Sequence, residues 1–279
     1  MPRPQKSRDH CDPEELEDRD EGIARFVEAV TYGNYYEETK RYGSITFPWR
    51  PNNNDGNGGY DKFQDHQVIG AWKVCCGDDR AYDERKFGLV ALYDMGCGKT
   101  IYAMALWAGI DVACVPEGVE GKSLFIVPNS LITQWAETIE DWIDCTSNFT
   151  DAQKKVRGSG VLIARSRKQL TMQAILHAKI VVVSPDGIAA AYRTYMKRVK
   201  VPDRRKNGTP YERWTWQRKH GKQVHPFFAY MNRSNGGHRA WTLVVMDELP
   251  YYCNPSSNKA RLVRECCTNA VYTVPLTGR

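Results

Sequence analysis

Residues 88–100 run an apolar strand, Gly88-Leu89-Val90-Ala91-Leu92, straight into a glycine-rich turn, Tyr93-Asp94-Met95-Gly96-Cys97-Gly98-Lys99-Thr100. Gly96 and Gly98 let that turn bend its backbone N–H groups toward one point. The apolar stretch that follows, Ile101 to Ala108, reads as a buried helix whose N-terminal dipole faces the same point. Such a strand, turn and helix form a cradle for the phosphates of a nucleotide. Gly96, Cys97, Gly98, Lys99 and Thr100 are its candidate binding residues: Lys99 reaches the β/γ-phosphates, and the Thr100 hydroxyl is placed to ligate Mg²⁺. The general phosphate-loop pattern puts glycine five residues before Gly98, where this chain has Tyr93, so simple NTPases fit less well. A second Gly121-Lys122-Ser123 precedes a strand instead of following one, and no helix N-terminus is there to receive a phosphate.

Beyond the cradle, apolar strands alternate with helical periods. Strands are expected at 88–92, 124–127, 161–164, 180–183, 243–246 and 271–275, and helices at 100–108, 131–143, 168–178, 187–196 and 259–267. Strict alternation of this kind is the pattern of an α/β fold with a mostly parallel sheet flanked by helices. Upstream, 12–21 is acid-rich and 51–59 is a linker of Pro, Asn, Asp and Gly, so 1–58 reads as a partly disordered arm before one domain at 59–279. Tyr32, Tyr35, Tyr36, Phe47 and Trp49 allow that arm a short packed element.

A second chemical feature ends the strand Trp241-Thr242-Leu243-Val244-Val245-Met246 with Asp247-Glu248. Four apolar residues delivering two carboxylates to a strand's C-terminal edge suit metal-assisted hydrolysis. Asp247 holds Mg²⁺ through water, and Glu248 is the catalytic group that polarises the attacking water.

The formal charge of +6 is unevenly placed. Residues 197–239 hold twelve Lys or Arg against Asp203 and Glu212, so the remainder is net acidic and this one segment supplies the polyanion-binding potential. Tyr211, Trp214, Trp216, Phe227, Phe228 and Tyr230 interleave with the charges. Two readings stay open: aromatics that stack on bases, with Arg204, Arg205 and Lys206 as the DNA-binding cluster, or a small satellite core under a solvated insertion. A hydrophobic content of 42% suffices for one sizeable core. No apolar run approaches the roughly 18 residues of a membrane span, so no membrane partner is expected. Nine cysteines include the adjacent pairs Cys75-Cys76 and Cys266-Cys267, which lack metal-site spacing and read as reduced thiols.

From about Tyr60 onward the chain resembles the Swi/Snf-type branch of superfamily-two helicase-like DNA-dependent ATPases. The first motif of that family is written much like DEMGLGKT, close to residues 93–100 here, and this also accounts for the missing first glycine. Phe63-Gln64 resembles the aromatic-Gln element that reads adenine. Phe125-Ile126-Val127-Pro128-Asn129-Ser130-Leu131-Ile132-Thr133-Gln134-Trp135 is similar to the family's second strand and helix start, whose loop faces the DNA backbone. Ile180-Val181-Val182-Val183-Ser184-Pro185-Asp186 sits where the next DNA-facing loop belongs, and Leu276-Thr277-Gly278 resembles the start of an "LTGTP" element that couples ATP state to DNA. The resemblance implies a RecA-like first lobe, ATP and Mg²⁺ as cofactors and double-stranded DNA as partner. It adds Gln64 to the ATP site, Pro128, Gln134 and Ser184 to the DNA-binding set, and Thr277 and Gly278 as coupling residues. A nuclear location follows from the DNA substrate.

Two departures qualify that expectation. Family members continue the acidic motif close to Asp-Glu-Ala-His, whereas here Asp247-Glu248 leads to Leu249-Pro250, which weakens the expected coupling of hydrolysis to DNA more than ATP binding. The sequence also ends at Arg279, where the resemblance implies a second RecA-like lobe bearing arginine fingers, joined in the chain or supplied in trans. An isolated first lobe is expected to turn over slowly, since such fingers are worth roughly 10³–10⁵ in turnover in related NTPases. A fragment, one half of a split enzyme and a catalytically degenerate nucleotide- or DNA-binding module remain open. A kinase or GTPase is disfavoured by Gln134-Trp135, by Thr277-Gly278 and by the lack of an Asn-Lys-x-Asp element.

Overall fold

Why the central strands read as unbroken apolar runs is plain from their surroundings, since helices cover both faces of the sheet. The structure, a computed structural model, describes residues 87–88, 91–92, 98–110, 121–143, 145, 150–204, 209–232, 239–248, 252, 254 and 257–278. The strands are β1 (Phe87–Gly88), β2 (Ala91–Leu92), β3 (Ser123–Ile126), β4 (Val161–Ala164), β5 (Ile180–Val183), β6 (Met196–Arg204), β7 (Pro210–Arg218), β8 (Trp241–Met246) and β9 (Ala270–Thr277). Helices are α1 (Lys99–Gly109), α2 (Ile132–Trp142), α3 (Asp151–Arg157), α4 (Met172–His177), α5 (Pro185–Tyr195), α6 (Pro226–Met231) and α7 (Asn258–Thr268).

The main sheet has the order β1-β9-β8-β3-β5-β4, with β2 also on β9, and every pairing in it is parallel. All its strands therefore end at one edge. Successive side chains alternate between two cores, as a pleat requires. Phe125, Val182 and Val245 face the core built by α1 and α2, while Leu124, Val181 and Val244 face the one built by α4, α5, α6 and α7. Helix α1 is at most 1% exposed from Tyr102 to Trp107, and its apolar composition all round matches that burial. Helix α2 buries Ile132, Trp135, Ala136 and Ile139, the spacing of one helical face.

The α/β class and parallel sheet agree with the sequence reading, with three local differences. The helix expected over 168–178 is a 3₁₀ turn, Arg167–Gln169, followed by α4. Leu170 at φ −77°, ψ 57° breaks the helix, and the Thr171 hydroxyl starts the next by accepting from the Ala174 N–H. Helix α3 has no buried residue, so no apolar period announces it; Thr150 and Gln153 form a capping box at its start. Most informative is 197–239, which is not one insertion. β6 and β7 form an antiparallel ribbon, whereas α6 belongs to the core, with Phe227 and Phe228 at 0% exposure and Tyr230 at 7%. The arm and linker at 1–58 and the cysteines at 75 and 76 lie outside the described residues.

This division predicts two different costs. Phe228→Ala should destabilise the protein by about 3–5 kcal/mol, as emptying a closed aromatic site does. Trp214→Ala, on the ribbon, should cost about 1 kcal/mol or less. Urea unfolding of both variants checks it, and equal costs would return the whole segment to one structural unit.

Candidate functional site

At the C-terminal edge of the sheet, β2 leads toward α1 and β8 ends on Asp247 and Glu248. Gly98 precedes α1 at φ 72°, ψ 39°, a left-handed conformation that glycine adopts without penalty. Among the described residues no side chain caps this helix, and the dipole of its positive end points to the cleft in front of it. Lys99 and Thr100 occupy its first turn. Both are half-buried.

Asp247 is 5% exposed and tied on three sides. Its backbone N–H donates to the Ile126 carbonyl at 2.9 Å, continuing the β8–β3 ladder past the strand end. Its Oδ2 accepts from the Trp135 indole Nε1–H at 3.0 Å, and its Oδ1 accepts from the Glu248 N–H at 3.0 Å. Burial pushes the Asp247 carboxyl above its ordinary value. The Glu248 charge works in the same direction, while the Trp135 donor, the Glu248 N–H and the Lys99 charge hold it down. Glu248 itself has φ 57°. A non-glycine residue there costs on the order of 1–3 kcal/mol, a strain that turns the chain sharply at the strand end and leaves Glu248 lining the cleft.

The cleft holds about 360 Å³ between Gly98, Lys99 and Thr100 on one side, Asp247 and Glu248 on another, and Leu131, Gln134, Trp135 and Thr138 of the α2 region on a third. Residues 247 and 248 are thus brought together with the start of α1 across about 150 positions of sequence. Gln134 is exposed and shares this cleft. Pro128 is buried, and Ser184, 3% exposed, spends its hydroxyl on capping α5 by accepting from the Gly187 N–H at 3.0 Å. Thr277 lies on β9 beside Leu92 of β2. Pro275 pairs with Met246, so Leu276-Thr277-Gly278 run past the strand end that carries Asp247. Arg204 is on the ribbon, outside this group. Gln64, Gly96, Cys97, Arg205, Lys206 and Pro250 lie outside the described residues.

Sequence reasoning did not find Trp135 or Thr138 as site residues. Trp135 is visible as a helix-face aromatic, but nothing in the sequence pairs it with a carboxylate 112 positions away. Lys122, set aside as a phosphate ligand, is 8% exposed and donates from Nζ to the Leu176 and Ala178 carbonyls at 2.6 and 2.8 Å.

A family model described as SNF2-related domain matches residues 57–269. No curated protein matches the chain. Among solved structures, the Sulfolobus solfataricus SWI2/SNF2 ATPase core in complex with dsDNA is 15% identical over 78% of this chain and 32% of its own, with a TM-score of 0.46. The Pyrococcus furiosus Hef helicase domain is 17% identical over 77% and 32%, with a TM-score of 0.41. UvsW helicase from bacteriophage T4 is 12% identical over 87% and 60%, also at 0.41. The chain spans about a third of the first two and three-fifths of the third.

The indole bond to Asp247 makes a specific prediction. Trp135→Phe keeps the edge contact with the Phe125 ring, 5.5 Å away, and removes the N–H donor. Losing a donor that favours the carboxylate should raise the Asp247 pKa further above its already raised value. Its proton would then bind at higher pH than in the parent. A carbon-13 NMR titration of the carboxyl reads this, and an unchanged or lowered midpoint would contradict it.

Proposed function

Because the chain belongs to the SNF2-related domain family, we propose that it is the ATP-binding lobe of a helicase-like, DNA-dependent ATPase. The observation that carries this reading is the Trp135-anchored Asp247, with Glu248 beside it, in one cleft with the uncapped start of α1, Lys99 and Thr100. A volume of about 360 Å³ suits a small-molecule site, and a helix N-terminus with no side-chain cap suits an anion. Burial pushes the Asp247 carboxyl up while donors and the Lys99 cation hold it down, an environment that suits a metal-binding carboxylate. These residues fit ATP with Mg²⁺.

In this reading Lys99 binds the β/γ-phosphates, together with the backbone of Gly96, Cys97 and Gly98. Thr100 and Asp247 hold Mg²⁺, Glu248 orients and deprotonates the attacking water, and Gln64 reads the base. Mg²⁺ supplies Lewis-acid neutralisation of phosphate charge when bound. Trp135 positions the Asp247 carboxylate. Gln134 belongs to the nucleotide cleft by placement and to the DNA-facing set by resemblance, a position from which one side chain touches both. Pro128 and Ser184 shape their loops, Pro128 from a buried position and Ser184 through the α5 cap, so DNA contact there comes from backbone groups. Thr277 and Gly278 sit where nucleotide state is transmitted. Double-stranded DNA and a second RecA-like lobe are the partners this reading requires, chromatin remodelling is the role it allows, and a nucleus is the compartment that goes with them. A catalytically degenerate module is favoured by Pro250, and hydrolysis separates the two.

Calorimetry with ATP–Mg²⁺ tests the proposal. Lys99→Ala should weaken binding by roughly tenfold to a hundredfold, as loss of hydrogen bonds to a charged group does. Glu248→Gln should bind ATP as the parent does and abolish whatever hydrolysis the parent shows. Equal affinity in the Lys99→Ala protein would overturn the assignment.

A further inference from the structure

The β6–β7 ribbon is long for something that encloses so little. Nine residues on each strand pair from Met196 opposite Arg218 to Arg204 opposite Pro210, a length of about 30 Å. Its foot is fastened to the lobe. Trp216 packs edge-on against Tyr192 of α5 at 5.0 Å, the Lys219 N–H donates to the Tyr195 carbonyl at 2.8 Å, and Lys219 Nζ donates to the Arg193 carbonyl at 2.6 Å. Beyond the foot no position of either strand is buried. A two-stranded hairpin is marginal by itself in water, so the length adds little to fold stability.

Pairing in register sorts the side chains. Arg198, Lys200 and Arg204 share a face with Trp214, and Arg218 shares it at the foot. Trp214 is 50% exposed, with the Arg198 guanidinium 4.8 Å and the Lys200 ammonium 5.4 Å from its ring centre. Both carboxylates of the ribbon are already spent, Glu212 on Lys200 at 2.7 Å and Asp203 on Arg213 at 3.2 Å. That leaves Arg198, Arg204 and Arg218 without a carboxylate partner among the described residues. The foot continues into a loop where Arg218, Lys219, His220 and Lys222 line an open hollow of about 400 Å³. A row of uncompensated cations beside a half-exposed indole has the chemistry that takes a polyanion with planar bases: phosphates on the cations, a base on the ring.

Its place in the fold matters as well. Helix α5 starts at Ser184 on the C-terminal edge and its eleven residues carry the chain about 16 Å back toward the opposite edge. The foot therefore lies away from the cleft of Lys99 and Asp247.

We propose that the β6–β7 ribbon is a nucleic-acid-binding surface separate from the C-terminal sheet edge. Arg198, Arg204 and Arg218 take backbone phosphates, and Trp214 stacks on an unpaired base. Binding there is independent of nucleotide, and the proposal does not rest on the ATP reading.

The test uses the full chain without ATP or Mg²⁺. Fluorescence anisotropy follows labelled single-stranded and duplex oligodeoxynucleotides across a salt series. Replacing Arg198, Arg204 and Arg218 together with Ala should lower the slope of log affinity against log salt by about two to three on duplex, at roughly 0.9 per phosphate contact. Trp214→Ala should weaken single-strand binding roughly five- to a hundredfold and duplex binding distinctly less. Melting curves confirm that the variants are folded, and the single charge reversal Arg204→Glu, at the exposed end of the strand, provides the same test should the triple variant fail. An unchanged salt slope in the folded variants would overturn the proposal, as would equal loss on both nucleic acids in Trp214→Ala. Unaltered DNA binding with reduced capture of polyglutamate would assign the ribbon to an acidic polypeptide instead.

Discussion

Strand β3 is bonded on both sides, to β5 and to β8, with every residue from Ser123 to Ile126 buried, and the geometry of the cleft follows from that ladder. Being parallel, the three strands finish together, so Asp247 emerges beside the loop that starts α2 and close to the start of α1. The ladder even continues one residue further, where the Asp247 N–H reaches the Ile126 carbonyl. A slip of one residue between β3 and β8 would exchange the two faces of the pleat and move Asp247 off the Trp135 indole. The same pairing that buries the core sets the position of the carboxylate to within a hydrogen bond.

That carboxylate is held at a cost. Burial opposes its ionisation, and the indole, the Glu248 N–H and the Lys99 charge oppose the burial. Trp135 does this from within the core, where its ring packs edge-on against Phe125. The three groups favour the ionised carboxylate at the sheet edge, and the next residue, Glu248, carries the strained backbone there at φ 57°. Local free energy is spent here on a fixed constellation, which is the pattern of a binding or catalytic site and not of a packing solution.

The ribbon shows the opposite economy. It buries little, yet it holds two cations on one indole and pairs each of its carboxylates with a base. Exposed ion pairs of this kind are worth at most about 1 kcal/mol each. Their consequence lies in charge: Glu212 shares the face of Arg198 and Arg204 but is neutralised there by Lys200, so that face stays net positive.

How much of this was legible in the sequence depends on the range of the interaction responsible. The glycine-rich segment ahead of α1, the strand that delivers Asp247-Glu248, the alternation of strands with helices and the family to which the chain belongs are written in contiguous residues, because dihedral preference, hydrophobic period and glycine placement act over a few positions. Helix α3 escaped that reading because it packs nothing, and the break at Leu170 because a cap competes with periodicity on equal terms. What only the tertiary structure decided joins distant parts of the chain: the Trp135–Asp247 bond, the use of Ser184 as a cap, and the sorting of one basic aromatic stretch into buried Phe227 and Phe228 and exposed Trp214. An aromatic residue is equally suited to a core and to a nucleobase. Which of the two it meets depends on whether a sheet face lies against it, and that is a property of the fold and not of the neighbouring residues.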